Sequence, residues 1–311
     1  MPHAVITEEI LQSESLIPQN IIVGIKNNRG TRRRDLSSGK ENFMRFIKDE
    51  VFNLVRKHYR TSGHRTLFGH SMAGAFTMNV LASEPGLFTN YIAASPTIQS
   101  NNSELITKYQ NLASLEEQTQ KSLYFTFGDE SAEGKNASEA LEKFLELMKN
   151  KKLNKLMWRF SPLSEQVHMT TPSLTLYAGL SFAFSDYKAP SYTGFKDYTQ
   201  QGGWQGLKTY YNKRAKKYSE PAEIPDTTFI NLGFAVFDDG HESEGLEILK
   251  RNAQTHPNSL RALNALAQTY EDLKKPRKAL EIYKKALFLA DKLTSSNLTF
   301  FKKQVERLER S

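Results

Sequence analysis

Cysteine is absent from the 311 residues. Disulfides, a thiolate nucleophile and cysteine-ligated zinc are therefore excluded. No stretch approaches the roughly 20 uncharged apolar residues that span a bilayer, so a membrane is not among the expected partners. Met1 to Ser15, MPHAVITEEILQSES, lacks a basic start followed by an apolar run, and no signal peptide is read there. Tryptophan occurs only twice, and aromatics do not interleave with the basic clusters. The whole chain carries a net charge of +8, and its basic residues gather in RGTRRRD, KNKKLNK, NKRAKK and LKKPRK. They read as solvated faces rather than a nucleic-acid groove, with some attraction for anionic substrates.

What is present is enough apolar residue for a packed core: 39% hydrophobic and 11% aromatic. Up to about Phe184 the pattern alternates. NIIVGI (Asn20 to Ile25), RTLFG, TNYIAASP, SLYFTFG and KLMWRF are short runs of strand type. Between them lie helical patterns: KENFMRFIKDEVFNLVRKHY, AGAFTMNVLAS, a helix within Ser103 to Leu115, one over about Ala137 to Lys149, and SLTLYAGLSFAF. Alternation of this kind predicts an α/β domain over residues 1–184, a parallel sheet covered by helices on both faces. Residues 185–225 read as a linker containing a short basic helix, LKTYYNKRAKKYS.

Residues 226–311 read as helical repeats. Gly233 and Ala267 stand 34 residues apart, as do Gly245 and Ala279. Small residues at that period, where paired helices cross, are the tetratricopeptide pattern. NLTFFKKQVERLER predicts a capping helix. The region is either an appendage with its own packing role or a docking surface for a protein or peptide partner.

The chemistry gathers at LFGHSMAGAF. Gly69-His70-Ser71-Met72-Ala73-Gly74 is a small-residue variant of G-x-S-x-G, with Ala73 where the strict pattern has glycine. A strand runs in and a helix runs out, which is the setting that presents a serine as a nucleophile. A serine hydroxyl needs a base. The order serine, acid, histidine leaves His168, in the loop after the last strand pattern, as that base; His70 is expected to point away from the serine. The acid follows SLYFTFG: Glu130 first, then Asp129, with Glu165 a third option. The N–H of Met72 is the first oxyanion donor. Ser95 and Pro96 are expected to wall the substrate pocket. No metal or cofactor is implied.

NIIVGIKNNRGTRRRDL, GKENFMRFI, LFGHSMAGAF, AASPTI and VHMTTPSLTLYAGL resemble the putative esterase family, over about Asn20 to Phe184. That group holds the esterase D-like and siderophore-esterase-like serine hydrolases of the α/β-hydrolase fold, and some bacterial members carry a helical-repeat tail. The resemblance implies hydrolysis of a small-molecule carboxylic ester through an acyl-serine, with Ser71 as nucleophile and His168 as base. Family members begin with three strands, the third ending in an LLDG-like stretch before the oxyanion loop. Nothing like it precedes NIIVGI, and HAVITEEILQSES fits the helix after that loop. The expectation is a sheet incomplete at its N-terminal side, from a shortened form or a natural fragment, with the second oxyanion donor lost. The rival expectation is a non-catalytic interaction protein, a relic hydrolase domain with partner-binding repeats. Location stays open: cytoplasmic for the chain as it stands, periplasmic or secreted if a preceding segment carries a signal peptide.

Overall fold

The computed structural model describes residues 2–28, 30–112 and 120–310. The chain forms two compact units, one reaching Lys188 and one starting at Ala189. In the first, α1 (Pro2–Ser13), α2 (Arg32–Leu36), α3 (Lys40–Phe46), a π-helical turn (Ile47–Val51) and α4 (Phe52–His58) precede β1 (Thr66–His70). Strands and helices then alternate: α5 (Met72–Ser83), β2 (Asn90–Ala94), α6 (Ser100–Gln110), β3 (Lys121–Phe127), α7 (Glu130–Glu133), α8 (Lys135–Asn150), β4 (Leu156–Pro162) and α9 (Thr171–Ala183). The helix expected within Ser103 to Leu115 runs from Ser100 to Gln110, and residues 113–115 of that span lie outside the described residues.

The four strands are parallel, in the order β1-β2-β3-β4. Gly69 and Ala94 lie at the same end of the sheet, since Gly69 registers with Ala93 and His70 with Ala94. Every residue of β2 and β3 is buried. This explains their unbroken apolar character: a strand covered on both faces has no solvent side. The outer strands are only half-buried. α5 packs on β1 and β2, and α9 on β2 and β3. One face closes over a cluster containing Phe76, Met78, Tyr109, Phe125 and Phe144. Phe144 meets Tyr109 and Phe125 edge-on, at ring-centroid distances of 4.9 and 5.7 Å, the arrangement the ring quadrupoles prefer.

The expected strand NIIVGI is not a strand. Residues 20–25 run without regular structure, and Ile21, Val23 and Ile25 are exposed by 44%, 48% and 36%. The reason is pairing. Among the described residues no strand lies beside β1 on its outer side, so β1 keeps a free edge and the apolar run has nothing to pair with.

In the second unit, the stretch expected as a linker is largely helical. α10 (Phe195–Gln200) and α11 (Gly203–Tyr218) precede α12 (Asp226–Asp238), α13 (Glu242–Thr255), α14 (Leu260–Asp272), α15 (Pro276–Lys292) and α16 (Leu298–Glu309). Tyr198, Leu207 and Tyr211 of this stretch share one core with Phe229, Leu232 and Val236. The sequence reading missed this because the tyrosines are spread among glycine and charge. The small residues at the 34-residue spacing lie at close contacts. A Cβ on Gly233 would fall 2.5 Å from Leu249 Cγ, and one on Gly245 would fall 2.8 Å from Gly233 O. Ala267 and Ala279 are fully buried. Among the described residues no helix is long and apolar enough to cross a membrane.

Candidate active site

Ser71 sits between β1 and α5 with φ 62° and ψ −122°. A non-glycine residue in that region is strained, and such strain persists only where the surroundings enforce it. Here they do. The Ser71 N–H donates to Ala94 O at 2.9 Å, and Ser71 O accepts from Ala75 and Thr97 at 3.0 and 3.3 Å. The turn is tight enough that a Cβ on Gly69 would lie 2.1 Å from Ala73 O. A Cβ on Gly74 would lie 3.1 Å from both Ala94 O and Pro96 Cα. The close approach to β2 is therefore made at Gly74, while Ala73 only packs against the core cluster. This is why alanine is accepted where the strict pattern has glycine. Met72 opens α5, so its N–H is one of the donors an α-helix leaves unpaired.

His168 lies in the loop between β4 and α9. Its carbonyl accepts from His70 Nε2 at 2.9 Å and from the Thr171 hydroxyl at 3.1 Å. The two imidazole rings stand 4.6 Å apart. His70 closes β1 one residue before Ser71, so this contact holds the His168 loop at the Ser71 end of the strand. The His70 side chain, expected to point away from the serine, fastens the loop. Because a carbonyl can only accept, His70 carries its proton on Nε2. Its half-buried ring is held below the ordinary histidine pKa by burial, which outweighs the opposing hydrogen bond to the His168 carbonyl.

His168 Nδ1 and Glu133 Oε2 are 2.6 Å apart, and the Glu133 side chain is only 4% exposed. The carboxylate's other oxygen accepts from the Gly128 N–H at 3.2 Å. The loop carrying Glu133 is clamped to the loop carrying His168. Asp129 N donates to Gln166 O at 2.7 Å, and Leu163 N to Phe127 O at 2.8 Å. A side chain at Gly128 would collide with this clamp, its Cβ 2.7 Å from Gln166 O and 2.8 Å from Glu133 Oε1.

The acid expected from the sequence is thus corrected. Asp129 caps α7, accepting from Ser131 N at 2.9 Å and from the Ser131 hydroxyl. The Ser131 donors hold its carboxyl below the usual range. Glu130 and Glu165 are exposed, and neither is the residue that meets His168. Glu133 is, because the single turn of α7 carries it back over Gly128. Ser95 and Pro96 also differ from expectation. Both are buried; Ser95 Oγ lies 3.0 Å from Thr171 Oγ1, and Pro96 backs Gly74. They support the turn and the His168 loop from below rather than facing an open pocket. Among the described residues no group of three His, Asp or Glu side chains is placed to hold a metal ion.

The family described as "Putative esterase" matches residues 5–169, more than half of the chain. The chain belongs to that family. The matched span contains Ser71, Glu133 and His168. A curated relative, the ferri-bacillibactin esterase BesA of Bacillus subtilis, is 30% identical over 129 residues, 41% of this chain and 42% of that protein. The chain therefore spans less than half the length of that relative. Among solved structures, an uncharacterised protein from Capnocytophaga ochracea is similar over all of this chain and 88% of its own, at 16% identity and a TM-score of 0.63. An IroE-like serine hydrolase from Shewanella oneidensis is similar over 81% of this chain and 84% of its own, at 20% identity and a TM-score of 0.57. At those identities the two structures speak to the fold.

Proposed function

We propose that the chain is a serine hydrolase that cleaves a carboxylic ester through an acyl-serine intermediate. The observation that carries this reading is the 2.6 Å contact of His168 Nδ1 with the buried Glu133 carboxylate, on a loop fastened beside the strained turn at Ser71. With Nδ1–H donating to Glu133, Nε2 is left as the basic nitrogen. The turn acts as a nucleophile elbow. Ser71 Oγ attacks the ester carbonyl carbon while His168 Nε2 takes its proton. Glu133 holds the tautomer and stabilises the imidazolium that forms. The Met72 N–H donates to the developing oxyanion, where one donor is worth roughly 100- to 1,000-fold in rate. His168 returns the proton to the departing alcohol, and water then attacks the acyl-serine by the same route in reverse.

Family membership and the name of the Bacillus subtilis relative support an ester hydrolase, and a ferric-siderophore ester is the substrate class proposed. The second unit is proposed to be a tetratricopeptide-like helical pair with a capping helix that docks a protein or peptide. The test of the chemistry is pre-steady-state turnover of p-nitrophenyl acetate. The reading requires a burst of nitrophenol stoichiometric with enzyme and an acetyl adduct on the Ser71 peptide by mass spectrometry. Turnover without that adduct would refute the acyl-serine step.

A further inference from the structure

His168 is gripped by its backbone carbonyl, and the groups that grip it lead back into the fold. That oxygen accepts twice, from His70 Nε2 at 2.9 Å and from the Thr171 hydroxyl at 3.1 Å, which uses both of its lone pairs. The two donors come from different elements: His70 ends β1 and Thr171 opens α9. Behind Thr171 stand three more hydroxyls. Ser95 Oγ, one residue past β2, is 3.0 Å from Thr171 Oγ1. Thr126 Oγ1, on β3, is 2.6 Å from Thr175 Oγ1, and the Thr175 hydroxyl donates to Thr171 O at 2.7 Å. Each hydroxyl has one proton to give. Thr171 and Thr175 give theirs to carbonyls, so Ser95 donates to Thr171 and Thr126 donates to Thr175. Ser95, Thr126, Thr171 and Thr175 are each 0 or 1% exposed, and they lie where α9 packs on β2 and β3. Apolar contacts tolerate small slides, whereas a buried polar network with every member satisfied fixes one arrangement. Ser95 also carries strain: its φ is 39°, and its N–H donates to Thr126 O at 3.1 Å. A non-glycine residue stays there only where its surroundings enforce it.

We infer that His70 and Thr171 are positioning residues for the base: holding the His168 carbonyl from β1 and from α9, with Ser95 seated behind Thr171, they set where the imidazole stands relative to Ser71. They touch no reacting atom and act through His168. The Glu133 contact fixes the Nδ1 side of the ring, and the carbonyl grip fixes the backbone that carries it. A base displaced by about 1 Å loses much of its rate. The inference rests on the serine-hydrolase reading above, because only that reading makes the ring's position matter to a reaction.

The experiment measures kcat and KM for p-nitrophenyl acetate in Thr171→Val, Thr171→Ser, His70→Leu and His70→Gln. Valine keeps the shape of threonine and loses the donor, and glutamine keeps an N–H donor at the reach of Nε2. Thr171→Val and His70→Leu are each expected to lower kcat about ten- to a hundredfold, with KM changed by less than about twofold. Thr171→Ser and His70→Gln should recover most of that loss. Thr171→Val leaves Ser95 against a methyl group. The pair Ser95→Ala with Thr171→Val removes both ends of that bond and so folds with near-ordinary stability, while its kcat stays as low as in Thr171→Val. Unchanged kcat in the two variants without a donor, or a fall that serine and glutamine do not reverse, would overturn the inference. The second readout does not use catalysis: the ring nitrogen signals of His168 in ¹⁵N-labelled protein, assigned by their loss in His168→Gln. They are expected to shift in Thr171→Val and His70→Leu, as the ring loosens from Glu133, and to return in Thr171→Ser and His70→Gln. That pattern supports the positioning role even if the unmodified chain turns over no ester, in which case the hydrolase reading alone has failed. Signals that stay in place in both variants without a donor overturn the positioning role whatever the kinetics.

Discussion

Three carboxylates stand within five residues of one another after β3, and only their local backbone separates them. Asp129 is spent on capping α7, Glu130 faces solvent, and Glu133 alone reaches His168. Glu133→Gln is expected to lower kcat by about 10³- to 10⁴-fold, because the amide cannot hold the right tautomer or stabilise the imidazolium. Glu130→Gln should stay within a few-fold, and steady-state kinetics of the pair separates the two assignments. At this scale the sequence placed Ser71 at a strand-to-helix turn and His168 in the loop after the last strand, and both stand there. It was not legible for the acid: the sequence pointed to Glu130, Asp129 or Glu165, and the contact with His168 is made by Glu133, through one turn of helix that no periodicity reports. His70 adds a pH prediction. Its folded pKa lies below its ordinary value of 6.5, so the unfolded chain takes up the proton first as pH falls. Stability contributed by neutral His70 is complete above about pH 6.5 and is lost as pH drops from there through the lower folded pKa. Urea unfolding across this window should show the decline, and His70→Gln should flatten it.

The strand-turn-helix element explains why its small residues are not interchangeable. At Gly69 an added methyl meets the Ala73 carbonyl at 2.1 Å, and backbone cannot swing aside as a side chain can. Gly69→Ala is expected to cost about 4 kcal/mol or more, read as loss of soluble protein or a sharply lowered Tm. Ala73→Gly restores the strict pattern and should cost only about 1 kcal/mol, the helix penalty for glycine. The four observed strands were readable because each is a short apolar run bounded by turn residues. NIIVGI has the same local character and forms no strand. Strand formation is a property of a pair, and residues 20–25 show composition without a partner. Among the described residues the outer edge of β1 has no strand partner, and an unpaired edge favours edge-to-edge pairing between chains.

The whole molecule has separate cores, the sheet with its helices and the helical second unit, each closed by its own buried residues. A substitution in the helical core should therefore leave the Ser71 chemistry alone. Gly233→Val, whose side chain would drive into Leu249, is expected to lower the Tm of the helical unit while Ser71 keeps its reactivity. Differential scanning calorimetry beside an activity assay checks both halves of that statement. In the mechanism proposed above, Ser71 is activated by His168 and Glu133. The most direct measurement is labelling of the purified protein with a fluorophosphonate probe, alongside Ser71→Ala and Glu133→Gln. Stoichiometric labelling is expected, abolished in Ser71→Ala and strongly slowed in Glu133→Gln. A folded protein that takes up no probe, or one labelled equally well without Ser71, would contradict it.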